Sequence, residues 1–185
     1  MHAEDVARAL EDIRKRFGEL GIPFAVVGAL AMRQHGYVRF TEDIDIVTTP
    51  AGLETIHAEL VGRGIVPRAS GLRKKLRHTA HNVNIDVIQS GEHAGDASSP
   101  VVYPDPSALD FAAASDGVRY ATLPALIRFK IASGVWGKRP RDLADVQELV
   151  KANSLDESWS QCLPAELRPR FEEIVRAAAE EKDIE

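Results

Sequence analysis

The sequence predicts an α/β (α+β) fold, a mixed sheet flanked by helices, with a helical C-terminal part. Three observations predict it. Short β-forming segments at residues 24–27, 43–47 and 83–88 are separated by stretches of helical period. Residues 89–106 are rich in Gly, Ser, Asp and Pro, and read as a surface loop and weak boundary. Beyond that boundary the apolar pattern is mainly helical. At 185 residues, 44% of them hydrophobic, the chain suits one domain with a helical annex. The division is drawn at 1–106 for the α/β core and 107–185 for the helical part, the two packed as one structural unit.

Val6, Leu10, Ile13, Phe17 and Leu20 fall on one face of a first helix, which Gly21 and Pro23 end. Residues 24–27 (Phe-Ala-Val-Val) read as a buried strand, broken by Gly28. A short helix over 29–34 stops near His35 and Gly36. Asp43-Ile44-Asp45-Ile46-Val47 alternates acidic and apolar residues, a strand with one wet and one dry face. Pro50 opens the next helix, with Leu53, Ile56, Leu60 and Val61 on its apolar side and Gly62 and Gly64 closing it. Strands follow at 65–68 and 72–78. A further alternating strand at 83–88 sets Val83, Ile85 and Val87 on one face, and Asn84, Asp86 and Ile88 on the other. A last short strand is expected at 118–121. Helices are expected at 124–133, with Gly134 as the stop, at 141–153 and at 167–180. The acidic C-terminal end is expected to fray.

The net charge of −5 argues against a protein that coats nucleic acid through bulk charge. A single cysteine, Cys162, excludes an intramolecular disulfide and a zinc knuckle, and suggests a reducing, cytoplasmic home. The N-terminus lacks the apolar stretch of a signal peptide, and no apolar run is long enough to span a bilayer.

The chemistry-bearing pattern is acidic. Residues two apart on a strand share a face, so Asp43 and Asp45 present neighbouring carboxylates whose repulsion a cation or a proton relieves. Hard oxygen ligands without a thiol suit magnesium. Asp86 joins them if its strand pairs beside theirs. Three carboxylates so gathered suit two metal ions roughly 3.5–4 Å apart, an arrangement for in-line displacement at phosphorus. A lone Asp-x-Asp is more often a solvated strand face. Here it sits between apolar residues, downstream of a glycine turn.

These residues carry a resemblance. Val26-Val27-Gly28-Ala29-Leu30-Ala31, followed by Arg39-Phe40-Thr41-Glu42-Asp43-Ile44-Asp45-Ile46 and a later Asp86, resembles the polymerase-beta-type nucleotidyltransferase superfamily. The approach Arg-x-Thr-x-Asp-Ile-Asp is similar to the branch of abortive-infection-type (AbiEii-like) toxins and small stand-alone transferases. Leu126-Ile127-Arg128-Phe129-Lys130, then Arg139-Pro140-Arg141-Asp142-Leu143-Ala144-Asp145-Val146, resembles that branch's helical part. Together these motifs cover residues 24–150, and their order is more specific than any one of them.

The resemblance implies a nucleotidyltransferase-type fold and a nucleoside triphosphate, ATP among the choices, as donor. It implies Asp43 and Asp45 as metal ligands and Asp86 as third ligand or base, with two Mg2+ ions. It implies Gly28 and Ala29 as the turn facing the triphosphate, and Lys130 as a phosphate contact. Ala29 departs from the Ser or Gly common at its position, removing a hydroxyl contact. Two rivals follow: a nucleotide- or partner-binding module with catalysis lost, and a metal-dependent hydrolase. A toxin acting on transfer RNA, held by an antitoxin partner, is a further reading within the fold.

Arg39 and Thr41 either orient the nucleotide or pair locally. Arg68, Arg73, Lys74, Lys75, Arg77 and His78 form the one strongly basic stretch. It reads first as solvated, and second as a seat for an anionic substrate such as RNA. His78 and His81 read as surface histidines, and Arg141 with Asp145 as an i,i+4 ion pair. Lys130 and Arg141 are the helical half's candidates for substrate binding; Trp136 and Trp159 read as packing residues.

Overall fold

The structure is a computed structural model and describes residues 3–182. Helix α1 (Ala3–Glu19) leads into β1 (Phe24–Val26), α2 (Gly28–Gln34), β2 (Asp43–Thr48) and α3 (Pro50–Glu59). Strands β3 (Ile65–Pro67), β4 (Lys75–His78) and β5 (Val83–Gln89) follow, then β6 (Phe111–Ala113) and β7 (Arg119–Ala121). Helices α4 (Leu123–Val135), α5 (Pro140–Asn153) and α6 (Arg168–Lys182) complete the chain, with two 3-10 turns at Glu157–Cys162 and Ala165–Leu167. The acidic end expected to fray, from 183 onward, lies outside the described residues.

All seven strands form one mixed sheet in the order β3-β4-β5-β2-β1-β7-β6. The central pair, β2 with β5, is parallel and sets Asp45 opposite Asp86 and Asp43 opposite Asn84. Its neighbours on either side, β1 and β4, run antiparallel to β2 and β5. Alternation decides the faces. Ile44, Ile46, Ile85 and Val87 are buried on the side that α1 and α3 cover, leaving the acids on the opposite side. Phe17 of α1 meets Phe24 edge to face across that apolar interior, with ring centroids 5.2 Å apart. The helical part packs α4 against α5 and α5 against α6, and Trp159 rests on Phe171 at 5.3 Å, a packing role as expected.

Several expectations are corrected. Helix α4 does not stop at Gly134 but runs through it to Val135. The glycine is there for space, because a Cβ on it would lie 2.4 Å from Leu143 Cδ2 of α5. Strand β4 begins at Lys75 rather than 72, since residues 69–74 form the turn from β3. Strand β6, which the apolar pattern did not announce, pairs antiparallel with β7 at the sheet edge. His78 is not on the surface. It is 2% exposed, its Nε2 lies 2.8 Å from Asp12 Oδ2, and its ring stacks on His81 at 5.2 Å. Position decides this: His78 falls on the same face of β4 as Leu76, the face under α1.

Candidate active site

Asp43 and Asp45 leave β2 on the same face, and Asp86 leaves the adjoining strand in direct register with Asp45. The three carboxylates expected to meet are therefore brought onto one face of two neighbouring strands. Their surroundings differ. Asn84 donates from Nδ2 to Asp43 Oδ1 at 2.9 Å, and the Thr41 hydroxyl accepts from the Asp43 N–H at 3.2 Å. Asp86 is paired twice, by Arg68 Nη2 to Oδ1 at 2.9 Å and by Lys75 Nζ to Oδ2. The Asp45 carboxylate has no hydrogen-bond donor among the described residues. Burial above all, then the charges of Asp86 and Asp43, push it up to about 6 against the opposing pull of Lys130 and Lys75.

Gly28 stands over this carboxylate. Its φ is +65°, and a Cβ there would lie 2.1 Å from Asp45 Oδ2. Only glycine lets the backbone take that turn and come so close. The Val27 N–H donates to the Asp45 carbonyl at 2.9 Å, fixing the turn to β2.

A cleft of about 570 Å³ opens beside the acids, bounded by Gly28, Asp43 and Asp45 on the sheet side and by Lys130, Arg139 and Arg141 on the helical side. Lys130 is 6% exposed and joins the two halves of α4 and α5: its Nζ donates to Asp142 Oδ1 at 2.9 Å and to Asp145 Oδ2 at 2.6 Å. Arg39 reaches the same buried Asp145 at 3.3 Å. The expected Arg141–Asp145 ion pair is therefore corrected: Asp145 turns inward to Lys130 and Arg39, and Arg141 is exposed on the cleft rim. The Tyr103 hydroxyl, on the cleft wall, is pushed up to about 12 by burial.

Ala29 and Thr41 line a different cavity of about 670 Å³, between α1, α2 and residues 38–41. That larger cavity includes none of the three acids. Of the basic stretch, Arg73 pairs with Glu54 at 2.7 Å and Lys74 pairs with Glu92. Among the described residues no group of three His, Cys, Asp or Glu side chains stands in the arrangement of a metal-ligand set. The two oxygens of Asp86 are drawn to Arg68 and Lys75.

Sequence reasoning did not pick out Asn84, Tyr103 or the individual pairing of Arg68 and Lys75 with Asp86. The last was within reach. His78 pairs with Val83 across the turn at 79–82, and counting back along both strands puts Lys75 opposite Asp86.

The architecture is that of an α/β protein with an acidic cluster on its central parallel strands, and it has the fold of solved nucleotidyltransferases. ANT(2'')-Ia in complex with adenylyl-2''-tobramycin superposes with a TM-score of 0.56 at 14% identity, over 92% of this chain and 97% of that one. An H. pylori protein provisionally assigned as a nucleotidyltransferase superposes with a TM-score of 0.52 at 13% identity, over 100% and 99% of the two chains. JHP933 from Helicobacter pylori gives 0.51 at 13%, over 98% and 94%. No protein-family model and no curated protein matches the sequence. No helix among the described residues is long and apolar enough to cross a membrane.

Proposed function

We propose that this protein is a magnesium-dependent nucleotidyltransferase that moves a nucleoside monophosphate from a nucleoside triphosphate, ATP among them, to a hydroxyl group, releasing pyrophosphate. The observation that carries the reading is the placement of Asp43, Asp45 and Asp86 on one face of β2 and β5, with the Gly28 turn over Asp45 and a cleft rimmed by basic residues beside Asp43 and Asp45. The likeness to ANT(2'')-Ia, solved with an adenylylated product, supports the same class of reaction.

The donors are all carboxylate oxygens, whose chemistry suits a hard divalent cation, although the three do not stand as a ligand set while Asp86 is paired with Arg68 and Lys75. Asp45 has neighbouring negative charge and no donor among the described residues, and a cation relieves that repulsion better than a proton at neutral pH. Asp43 and Asp45 would hold Mg2+, two ions in the full arrangement, with Asp86 joining once its partners yield. Bound there, magnesium would neutralise triphosphate charge and polarise the reacting oxygens. The chain's own groups do the rest. The backbone at Gly28 faces the phosphates, Ala29 following it with its side chain toward the other cavity, and Arg39 and Thr41 hold the loop that leads into β2. Arg141 at the cleft rim contributes positive charge, and Lys130 holds the cleft wall together while lending its field to the phosphates. The acceptor oxygen forms its bond to the α-phosphorus as the bond to pyrophosphate breaks, and Asp86 takes the acceptor's proton. A cytoplasmic location goes with the single exposed cysteine. No feature of the described residues favours a toxin reading with transfer RNA as acceptor and an antitoxin partner.

The test is incubation with each α-labelled triphosphate, magnesium and a panel of hydroxyl compounds. A labelled acceptor with pyrophosphate supports transfer. Free monophosphate without an acceptor product points to hydrolysis, and nucleotide retained without turnover points to a binding module; either result overturns the proposal.

A further inference from the structure

The face that carries the acids continues past Asp86 onto β4 and the end of β3, and there its charge reverses. Lys75 and Arg77 lie two apart on β4, opposite Asp86 and Asn84, so they share the acidic face. Arg68 follows β3 and is tied by its N–H to the Lys75 carbonyl at 2.8 Å. Two cations thus hold the Asp86 carboxylate, and a third, Arg77, lies on the same face opposite Asn84. Arg68 and Lys75 share Asp86, and the only side-chain partner of Arg77 among the described residues is Asn82 Oδ1, at 3.5 Å. Lys75 keeps 43% and Arg68 29% of its side chain exposed, so both remain open to a second partner.

Position gives this excess a meaning. The Gly28 turn and the Lys130 cleft lie on the β1 side of Asp45, and β4 lies on the other side of Asp86. An acceptor hydroxyl that delivers its proton to Asp86 has its neighbouring atoms over β4, about 5 Å further across the sheet. A polyamine placed there would meet Arg68, Lys75 and Arg77 as like charges. An anion would share cations that a single carboxylate leaves half satisfied. The seat is also small. Arg73 and Lys74, which would lengthen it, are directed away from it, Arg73 to Glu54 of α3 on the opposite face and Lys74 to Glu92 beyond β5, and the protein as a whole carries −5.

We infer that the acceptor is a small hydroxyl compound carrying an anionic group, phosphate or carboxylate, seated on Arg68, Lys75 and Arg77. Its role as acceptor rests on the transfer reading above; the anion seat does not.

The two are separated by measuring binding first, without nucleotide or magnesium. Amide chemical shifts of the whole protein are followed during titration with glycerol 3-phosphate, glycerate, glycerol and tobramycin. The phosphate and carboxylate arms distinguish the two anion sources. At least one of them should perturb the amides of Val66, Arg68 and residues 75–77, with glycerol and tobramycin leaving them in place. Arg68→Gln with Lys75→Gln should weaken that anion at least tenfold, and the charge-preserving Arg68→Lys with Lys75→Arg should restore most of it. Perturbation confined to the Gly28 and Lys130 cleft, unchanged affinity in the Gln pair, or stronger binding of tobramycin at β4 would overturn the inference. So would an RNA oligonucleotide that binds the same strands a hundredfold more tightly than glycerol 3-phosphate. In the transfer assay, labelling of tobramycin but of no anionic compound overturns the inference and leaves the transfer reading standing. Anion binding at β4 with no transfer to any compound overturns the transfer reading and leaves the seat.

Discussion

Asp45 lies directly opposite Asp86 in the parallel pairing of β2 with β5, yet among the described residues one carboxylate has no donor and the other has two cations. Burial and the two neighbouring acids raise Asp45 from an ordinary value of 3.8 to about 6. The folded chain therefore binds that proton more tightly than the unfolded chain does. Its stabilising effect is present below about pH 4 and is lost as pH rises through about 6. The change corresponds to roughly 3 kcal/mol at most. Urea unfolding without divalent ions should show Asp45→Asn gaining on the wild type by up to that amount between pH 4 and 7. Parallel pH curves for the two proteins would remove Asp45 as the strained group.

Magnesium should replace that proton. At pH 7.5 the wild type is expected to melt at a higher temperature as Mg2+ is added, by the equivalent of about 2.7 kcal/mol when the ion is a hundredfold above its dissociation constant. Asp45→Asn should lose most of this rise, and its turnover should fall at least a hundredfold. Equal responses of the two proteins in differential scanning calorimetry would place the ion elsewhere.

Gly28→Ala asks for two incompatible things, a side chain at φ +65° and an atom 2.1 Å from Asp45 Oδ2. The backbone conformation alone costs about 1–2 kcal/mol. The carboxylate must also move, so turnover should fall more than stability does. Full activity with unchanged urea unfolding would show that the turn relaxes freely.

Lys130→Met leaves Asp142 and the 5% exposed Asp145 side chain facing each other without their shared ammonium. The loss is expected to be about 3–5 kcal/mol by urea unfolding at pH 7. Adding Asp145→Asn to Lys130→Met should recover part of it. If the two changes are simply additive, the buried pair is not coupled.

The strand pattern was legible because alternation fixes faces. Asp43 and Asp45 were put on one face by that rule, and Val83, Ile85 and Val87 on the dry side where they lie. Whether β5 would neighbour β2 was not legible, since a parallel pairing is set by the path of α3 and the β3–β4 hairpin between them. Lys130 was picked out as a phosphate contact, but its burial between Asp142 and Asp145 depends on how α4 crosses α5, which periodicity does not encode. His78 was misjudged for a related reason: a polar residue in a basic run reads as exposed unless the strand's phase is known. The three-residue strand β6 offered too few residues to show a period.

The sheet takes β1 to β5 from before the loop at 89–106 and β6 and β7 from after it, and it is closed by the parallel contact of β1 with β7. A chain severed between 106 and 107 would strip β1 of a neighbour and leave its hydrogen-bonding groups bare on that side. It would also separate the wall that bears Lys130 from the floor that bears Asp45. Fragments made there should fail to fold independently and should regain the cleft only when mixed, so that a protease nick in this loop would be tolerated where physical separation of the pieces would not.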